Sequence, residues 1–325
     1  MEYLPTLHVH RPATAEEAVA VRANHASARY LAGGTDMVVN IRRGIEQPEH
    51  LIDLSDIEEL GGIQASANGL RIGAGSTLKD LADDRDIRRV YAAVSEAAES
   101  VAGPTHQSYG TVGGNLCLDT RCLYYNQSEW WRDSNDFCLK LKGNVCHVAP
   151  GGSFCFAAFS GDLAPALMVC DAEAELLGPD GRRRTPLADL YRDDGMDHLT
   201  LKAGELLVAV HLPPPDGDGG SGYAKSRVRS AIDFPLAGVA VRLGLSSGKA
   251  RTLAVALTAV APRPHLVEGS EELKGRHVDD AWLDDLRDLV RAQASPMRTT
   301  TTKPWYRRRV AGALAAKVAR RIAEG

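Results

Sequence analysis

The chain has 325 residues, 44% of them hydrophobic and 25% charged, with a formal net charge of −4. That length buries a sizeable core and fits two or three domains, and the composition excludes a disordered or collagen-like chain. The mildly negative balance leaves no general footprint for nucleic acid. No stretch reaches the roughly 18 apolar residues that cross a bilayer, and MEYLPTLHVHRP lacks the basic and apolar regions of a secretory leader. A cytoplasmic protein with neither nucleic-acid nor membrane partner is expected.

In chain order, Thr14 and Glu17 form a capping box ahead of Ala18 and Val21 and predict a helix. A short strand over 29–32 is broken by Gly33 and Gly34, and a helix over 36–43 follows. Strand, glycine turn and helix together present backbone N–H groups to an anion. Another strand covers 51–54. Segments 62–66 and 70–74 flank Asn68-Gly69, a dipeptide made for a hairpin turn. Helical patterns occupy 77–82 and 88–100.

Periodicity then disappears from Thr120 to Phe156. So long an irregular stretch is uncommon in a compact domain unless a function or an internal ligand orders it. A helix over 164–168 and strands over 169–177 and 205–212 come next. The run PPPDGDGGSG is the best domain boundary, because proline stiffens it and glycine offers nothing to pack. A last domain, starting near Tyr223, reads as strands over 223–229, 237–245 and 249–260 and helices over 280–293 and 305–322. The basic run Arg307, Arg308 and Arg309 reads as a solvated helix face.

Two glycine loops carry the candidate chemistry. In LAGGTD (Leu31, Ala32, Gly33, Gly34, Thr35, Asp36), the glycines permit close approach by a ligand and Thr35 can donate to a phosphate oxygen. GTVGGNL repeats this with Thr111, Gly113, Gly114 and Asn115. Neither loop matches the dinucleotide fingerprint or the P-loop, which disfavours a nicotinamide-binding Rossmann domain.

Six cysteines occur in the chain, and five of them fall between 117 and 155. In a reducing compartment that clustering favours a metal or cluster site over disulfides. Cys122, Cys138, Cys146 and Cys155 are separated by 15, 7 and 8 residues. Four thiolates suit either tetrahedral zinc or a [4Fe–4S] cluster, and these gaps do not choose between them. Cys117 and Cys170 read as small buried hydrophobes.

The order LAGGTD, GTVGGNL, SGDLAPAL (160–167), ELLVAVHLP (205–213) and YAKSRVR (223–229) resembles the FAD subunits of the xanthine oxidase family over essentially the whole chain. The resemblance implies an α+β protein: a two-part FAD-binding fold similar to that of vanillyl-alcohol oxidase, then a C-terminal α+β domain like that of the CO dehydrogenase flavoprotein. The expected units are residues 1–55 and 56–215 for FAD, with an iron–sulfur insert at about 117–157, and 216–325 for the last domain. The two glycine loops would line the FAD pyrophosphate and ribityl chain. Asp162 would accept a hydrogen bond from the cofactor, Leu207 would pack beside the ring, and Lys225 would lie near the flavin.

Relative to most of that family the chain carries about 40 extra residues between Asn115 and Ser160. The insert resembles that of the 4-hydroxybenzoyl-CoA reductases, a branch of the family in which such an insert holds a [4Fe–4S] cluster; the four cysteines named above would be its ligands. The resemblance further implies a molybdenum cofactor on a large partner subunit, [2Fe–2S] clusters on a small one, a dimer of heterotrimers, and ferredoxin as donor. This chain would relay electrons and catalyse nothing alone. Two other readings stay open: a flavin subunit of a molybdenum hydroxylase passing electrons outward, and a flavin- or zinc-binding module without redox function.

Overall fold

The structure, a computed structural model, describes residues 4–215 and 219–325. It begins with β1 (His8–His10), α1 (Ala15–Asn24), β2 (Arg29–Leu31), α2 (Met37–Arg42) and β3 (His50–Asp53). The three strands form a parallel sheet in the order β1-β3-β2. Thr14 caps α1 by accepting from the Glu17 amide, but the Glu17 carboxylate turns back to the Ala13 amide, so only half of the expected capping box closes. Ala15, Ala18 and Val19 of α1 fill a small core with Ile52, Leu60 and Val208.

The second part contains β4 (Ile63–Ser66), β5 (Gly69–Gly73), α3 (Leu78–Asp83), α4 (Arg85–Val90) and α5 (Ala92–Ser100). Its hairpin register, Ser66 opposite Gly69, is the one that Asn68-Gly69 predicts. The helix expected over 88–100 is divided at Tyr91. Asp84 accepts from the Asp86 and Ile87 amides and starts α4 early, and Tyr91 leaves helical geometry while its hydroxyl donates to the Pro213 carbonyl. Next come α6 (Pro104–Tyr109), α7 (Val112–Leu116), α8 (Glu129–Asp133) and α9 (Leu163–Met168). Thus the supposedly irregular 120–156 stretch contains one short helix, capped by Ser128.

The strands β6 (Glu173–Gly178), β7 (Gly181–Pro186) and β8 (Leu206–Leu212) complete an antiparallel sheet ordered β4-β5-β8-β6-β7. β6 starts later than expected because the chain turns at Val169 to Asp171, where Asp171 has φ +54°. β7, with sequence GRRRTP, has no apolar alternation. It is an edge strand whose Arg182 pairs with Glu16, Glu59 and Glu175.

The last domain consists of β9 (Gly220–Ser226), β10 (Ala237–Ser246), β11 (Lys249–Thr258), β12 (His265–Leu266), α10 (Asp280–Gln293) and α11 (Pro304–Glu324). Its sheet runs β12-β11-β10-β9, and α10 and α11 pack together around a core that includes the fully buried Trp282. β9 begins three residues ahead of the expected strand, and positions 216–218 of the PPPDGDGGSG run lie outside the described residues.

The run Arg307 to Arg309 is not the solvated face expected of it. Arg308 and Arg309 are exposed, but Arg307 is 1% exposed and donates to the carbonyls of Leu236, Met297 and Ala259. Its position on the inner face of α11 outweighs the cost of burying a cation because the guanidinium fork finds several acceptors. Burial lowers its pKa to about 10. Among the described residues no helix is long and apolar enough to cross a membrane.

Candidate cofactor site

The glycine loops, 75 residues apart in sequence, touch in space. A Cβ on Gly33 would lie 1.6 Å from the Tyr109 carbonyl oxygen, so only glycine lets the first loop meet the α6–α7 junction this closely. Gly34 follows with φ +72°, a backbone conformation that side chains disfavour. The second loop is laced to the turn after β5: the Leu78 amide donates to Gly110, Val112 to Ser76 and Gly113 to Ala74. Thr111 caps α7 by accepting from the Gly114 amide at 3.1 Å. Gly33, Thr35 and Gly114 remain exposed at the loop surface, with the Gly114 amide already committed to Thr111. Because α2 and α7 span only six and five residues, the loop amides matter more here than any long helix dipole.

Asn115 ties this loop to the SGD motif, its side-chain oxygen accepting from the Leu163 amide at 3.0 Å. Beside that contact Asp162 is 3% exposed; one carboxylate oxygen accepts from the Tyr223 hydroxyl at 2.6 Å and the other from the Lys225 ammonium at 3.1 Å. Burial pushes the Asp162 carboxyl up and the Lys225 ammonium down, and the attraction between them opposes both shifts. Lys225 is therefore no surface lysine: β9 delivers it to the start of α9. Leu207 lies within the main core on β8, a strand against which α7 packs.

The insert is anchored to the first loop. Arg121 donates to Asp36 at 2.7 Å and stacks over the Phe234 ring at 4.2 Å, and Arg132, 1% exposed, donates to the Arg43 and Gly44 carbonyls at the end of α2. Nothing in the sequence pattern singles out either arginine. Their roles depend on which loops become neighbours.

Cys122, Cys138, Cys146 and Cys155 are all buried and unbridged, and they line one cavity together with Tyr124, Lys140 and His147. The cavity between the four thiols has a volume of about 10 Å³, room for about one water molecule. Cys117 and Cys170 instead pack on the main core. Burial pushes the Cys122 thiol up to about 12 and the Cys155 thiol to about 11, so releasing their protons requires a compensating positive charge. Part of it is at hand. The Lys140 ammonium, with only 6% of its side chain exposed, favours the Cys155 thiolate while it pairs with Asp119 at 2.6 Å. The Ala157 amide also donates to the Cys155 sulfur at 3.4 Å.

The spacing of the sulfurs bears on what they fit. Zinc bound by four thiolates at about 2.3 Å requires sulfurs about 3.8 Å apart. Among the described residues, the one trio of His, Cys, Asp or Glu donors lying within 4.8 Å of one another consists of three N-terminal histidines, so no three of these sulfurs are that close. A four-iron cluster carries its thiolates on its outer corners and spans a wider cage. Four buried cysteines supply the thiolate donor set that such a cluster takes.

Residues 5–215 match the FAD-binding domain in molybdopterin dehydrogenase, and residues 221–322 match the CO dehydrogenase flavoprotein C-terminal domain. The chain is 35% identical over 292 residues to the aldehyde oxidoreductase FAD-binding subunit PaoB of Escherichia coli K12, covering 85% of this chain and 86% of that one. It is 30% identical over 309 residues to the carbon monoxide dehydrogenase medium chain of Afipia carboxidovorans, covering 94% and 92%. A chain of the solved structure of reconstituted CO dehydrogenase from Oligotropha carboxidovorans superposes with a TM-score of 0.82 at 26% identity, covering 99% of both chains. The mixed α/β fold with its flavoprotein C-terminal domain is the one that the resemblance implied.

Proposed function

Since the chain belongs to the family of FAD-binding subunits of molybdenum-containing dehydrogenases, we propose that it is an electron-transfer subunit holding both FAD and a [4Fe–4S] cluster. FAD would occupy the cleft formed by Leu31 to Asp36 and Thr111 to Asn115, with Asp162, Leu207 and Lys225 organising its far side. Cys122, Cys138, Cys146 and Cys155 would hold the cluster. Residues 1–55 and 56–215 would form the two halves of the flavin unit and 216–325 the third domain. Bound FAD takes up electrons singly or in pairs, and a cluster passes them one at a time.

The observation that carries this reading is the convergence of four buried cysteines on one cavity, with Arg121, the neighbour of Cys122, paired to Asp36 of the first glycine loop. Lys140 supplies positive charge beside Cys155, and Tyr124, Tyr125 and Leu139 complete the cavity wall. The substrate reaction would take place at molybdenum on a large partner chain, with [2Fe–2S] centres on a small one, the whole assembling as a dimer of heterotrimers.

The direction of electron flow follows from the reaction on the partner. The 35% identity to PaoB, the FAD-binding subunit of an aldehyde oxidoreductase, supports a reading in which electrons flow outward from an aldehyde. The cysteine insert favours the reverse, a low-potential donor such as ferredoxin driving 4-hydroxybenzoyl-CoA to benzoyl-CoA. Metal and flavin analysis of the anaerobically purified chain tests the cofactor set: one FAD and about four irons are expected, and zinc without iron would overturn the cluster. Assays of the co-expressed complex with aldehydes and with 4-hydroxybenzoyl-CoA separate the two directions. Aldehyde turnover without dehydroxylation would remove the reductase reading.

A further inference from the structure

A second donor cluster lies in the N-terminal sheet, remote in sequence from the cysteines. His10 ends β1, His25 is the residue that closes α1, and His50 opens β3. Parallel pairing places His8 opposite His50, and His10, two residues on, points to the same face as His8. The end of α1 brings His25 onto that face. One ring nitrogen from each of His10, His25 and His50 lies within 4.8 Å of the other two. The His10 Nε2 and His50 Nδ1 atoms are 3.0 Å apart, and the His25 and His50 rings stack with centroids 4.0 Å apart.

We propose that His10, His25 and His50 form a binding site for a divalent transition-metal cation of the zinc, nickel and copper group. Three imidazoles converging from three elements constitute a nitrogen donor set that such cations prefer, whereas magnesium and calcium require oxygen ligands. Metal–nitrogen bonds of about 2.0–2.1 Å in tetrahedral geometry place nitrogens about 3.3 Å apart. The 3.0 Å separation of His10 and His50 is already close to that value. All three side chains are half-buried, fixed at the base and reachable from solvent, so a fourth position is left for water or an anion. The bound cation would tie the edge strand β1 to α1 and β3, within the sheet whose strand β2 leads into the first glycine loop.

The test uses tag-free full-length protein, since a polyhistidine tag would mimic the site, and compares wild type with His25→Gln and His10→Gln separately. Cobalt(II) is the probe: its absorption spectrum distinguishes nitrogen from thiolate ligation, so metal at the cysteine cavity is counted apart. One nitrogen-ligated cobalt per chain is expected in wild type. Either substitution should weaken it at least about a hundredfold, since loss of a group that merely hydrogen-bonds a ligand already reaches that size. Nickel(II) should raise the melting temperature of wild type by more than that of either variant. FAD content should be the same in all three. Thiolate-only cobalt spectra in wild type, or nitrogen-ligated cobalt that persists in both variants, would overturn the site. The wild-type spectrum decides even if one variant fails to fold.

Discussion

Replacing Gly33 with alanine tests whether contact between the two glycine loops forms the flavin cleft. The added methyl carbon would sit 1.6 Å from the Tyr109 carbonyl oxygen and 2.5 Å from its carbon, where ordinary contact begins at 3.4 Å. The loops must therefore part by roughly 1.8 Å. Backbone atoms on the Tyr109 side cannot swing away as a flexible side chain would, so the cost falls at the upper end of the overpacking range, about 3 kcal/mol. If that parting is felt by the ligand, FAD affinity falls about a hundredfold, at 1.4 kcal/mol per decade. Equilibrium titration followed by flavin fluorescence measures this, with a far-UV melt to separate weaker binding from loss of fold. Gly34→Ala, at φ +72°, should cost about 1 kcal/mol and roughly fivefold in affinity. Gly151→Ala, with nothing within 4 Å of its new carbon, should bind like wild type. A Gly33→Ala protein that binds FAD within threefold of wild type would refute the proposed cleft.

Three further outcomes are expected. Arg307→Lys should lower stability by about 2–4 kcal/mol, because an ammonium cannot reproduce the planar fork that reaches the Leu236, Met297 and Ala259 carbonyls; an unchanged denaturation midpoint would contradict this. Glu205, held below its ordinary pKa of 4.5 chiefly by Arg183, contributes stability that is present above that value and lost as pH falls through the lowered folded pKa. With Arg183 one-third exposed the contribution is about 1 kcal/mol, so Glu205→Gln should lower stability at pH 7 by that amount and flatten the acid limb of the stability curve. Arg121→Gln should weaken FAD binding several-fold while leaving iron content intact, because it cuts the link to Asp36 and touches no cysteine; parallel loss of iron would mean that Arg121 holds the insert itself together.

Local chemistry in the chain specified much of the secondary structure. Thr14 and Asn68-Gly69 mark their elements without help from distant residues, and α10 occupies the residues that its apolar period predicts. Three features could not be read this way. β7 is a strand because it pairs with β6, from Glu173 opposite Pro186 to Gly178 opposite Gly181, with Arg182 tying its edge to Glu16, Glu59 and Glu175, not because its residues alternate. α4 and α5 separate at Tyr91, whose hydroxyl is drawn to Pro213. Arg307 turns inward because backbone carbonyls from three separate segments converge on it.

The same division runs through the site. The glycine loops and the cysteine-rich insert are visible in the sequence from residue type and spacing, whereas Asp162 and Lys225 are picked out only through the resemblance to the family's order of motifs. That Gly33 touches Tyr109, that Lys225 is buried against Asp162, that Arg121 joins the insert to Asp36, and that four cysteines and, apart from them, three histidines converge were decided by tertiary structure alone. The physical reason is that propensity and capping act over a few residues, whereas a ligand cage or a buried ion pair depends on which distant segments the core packs side by side.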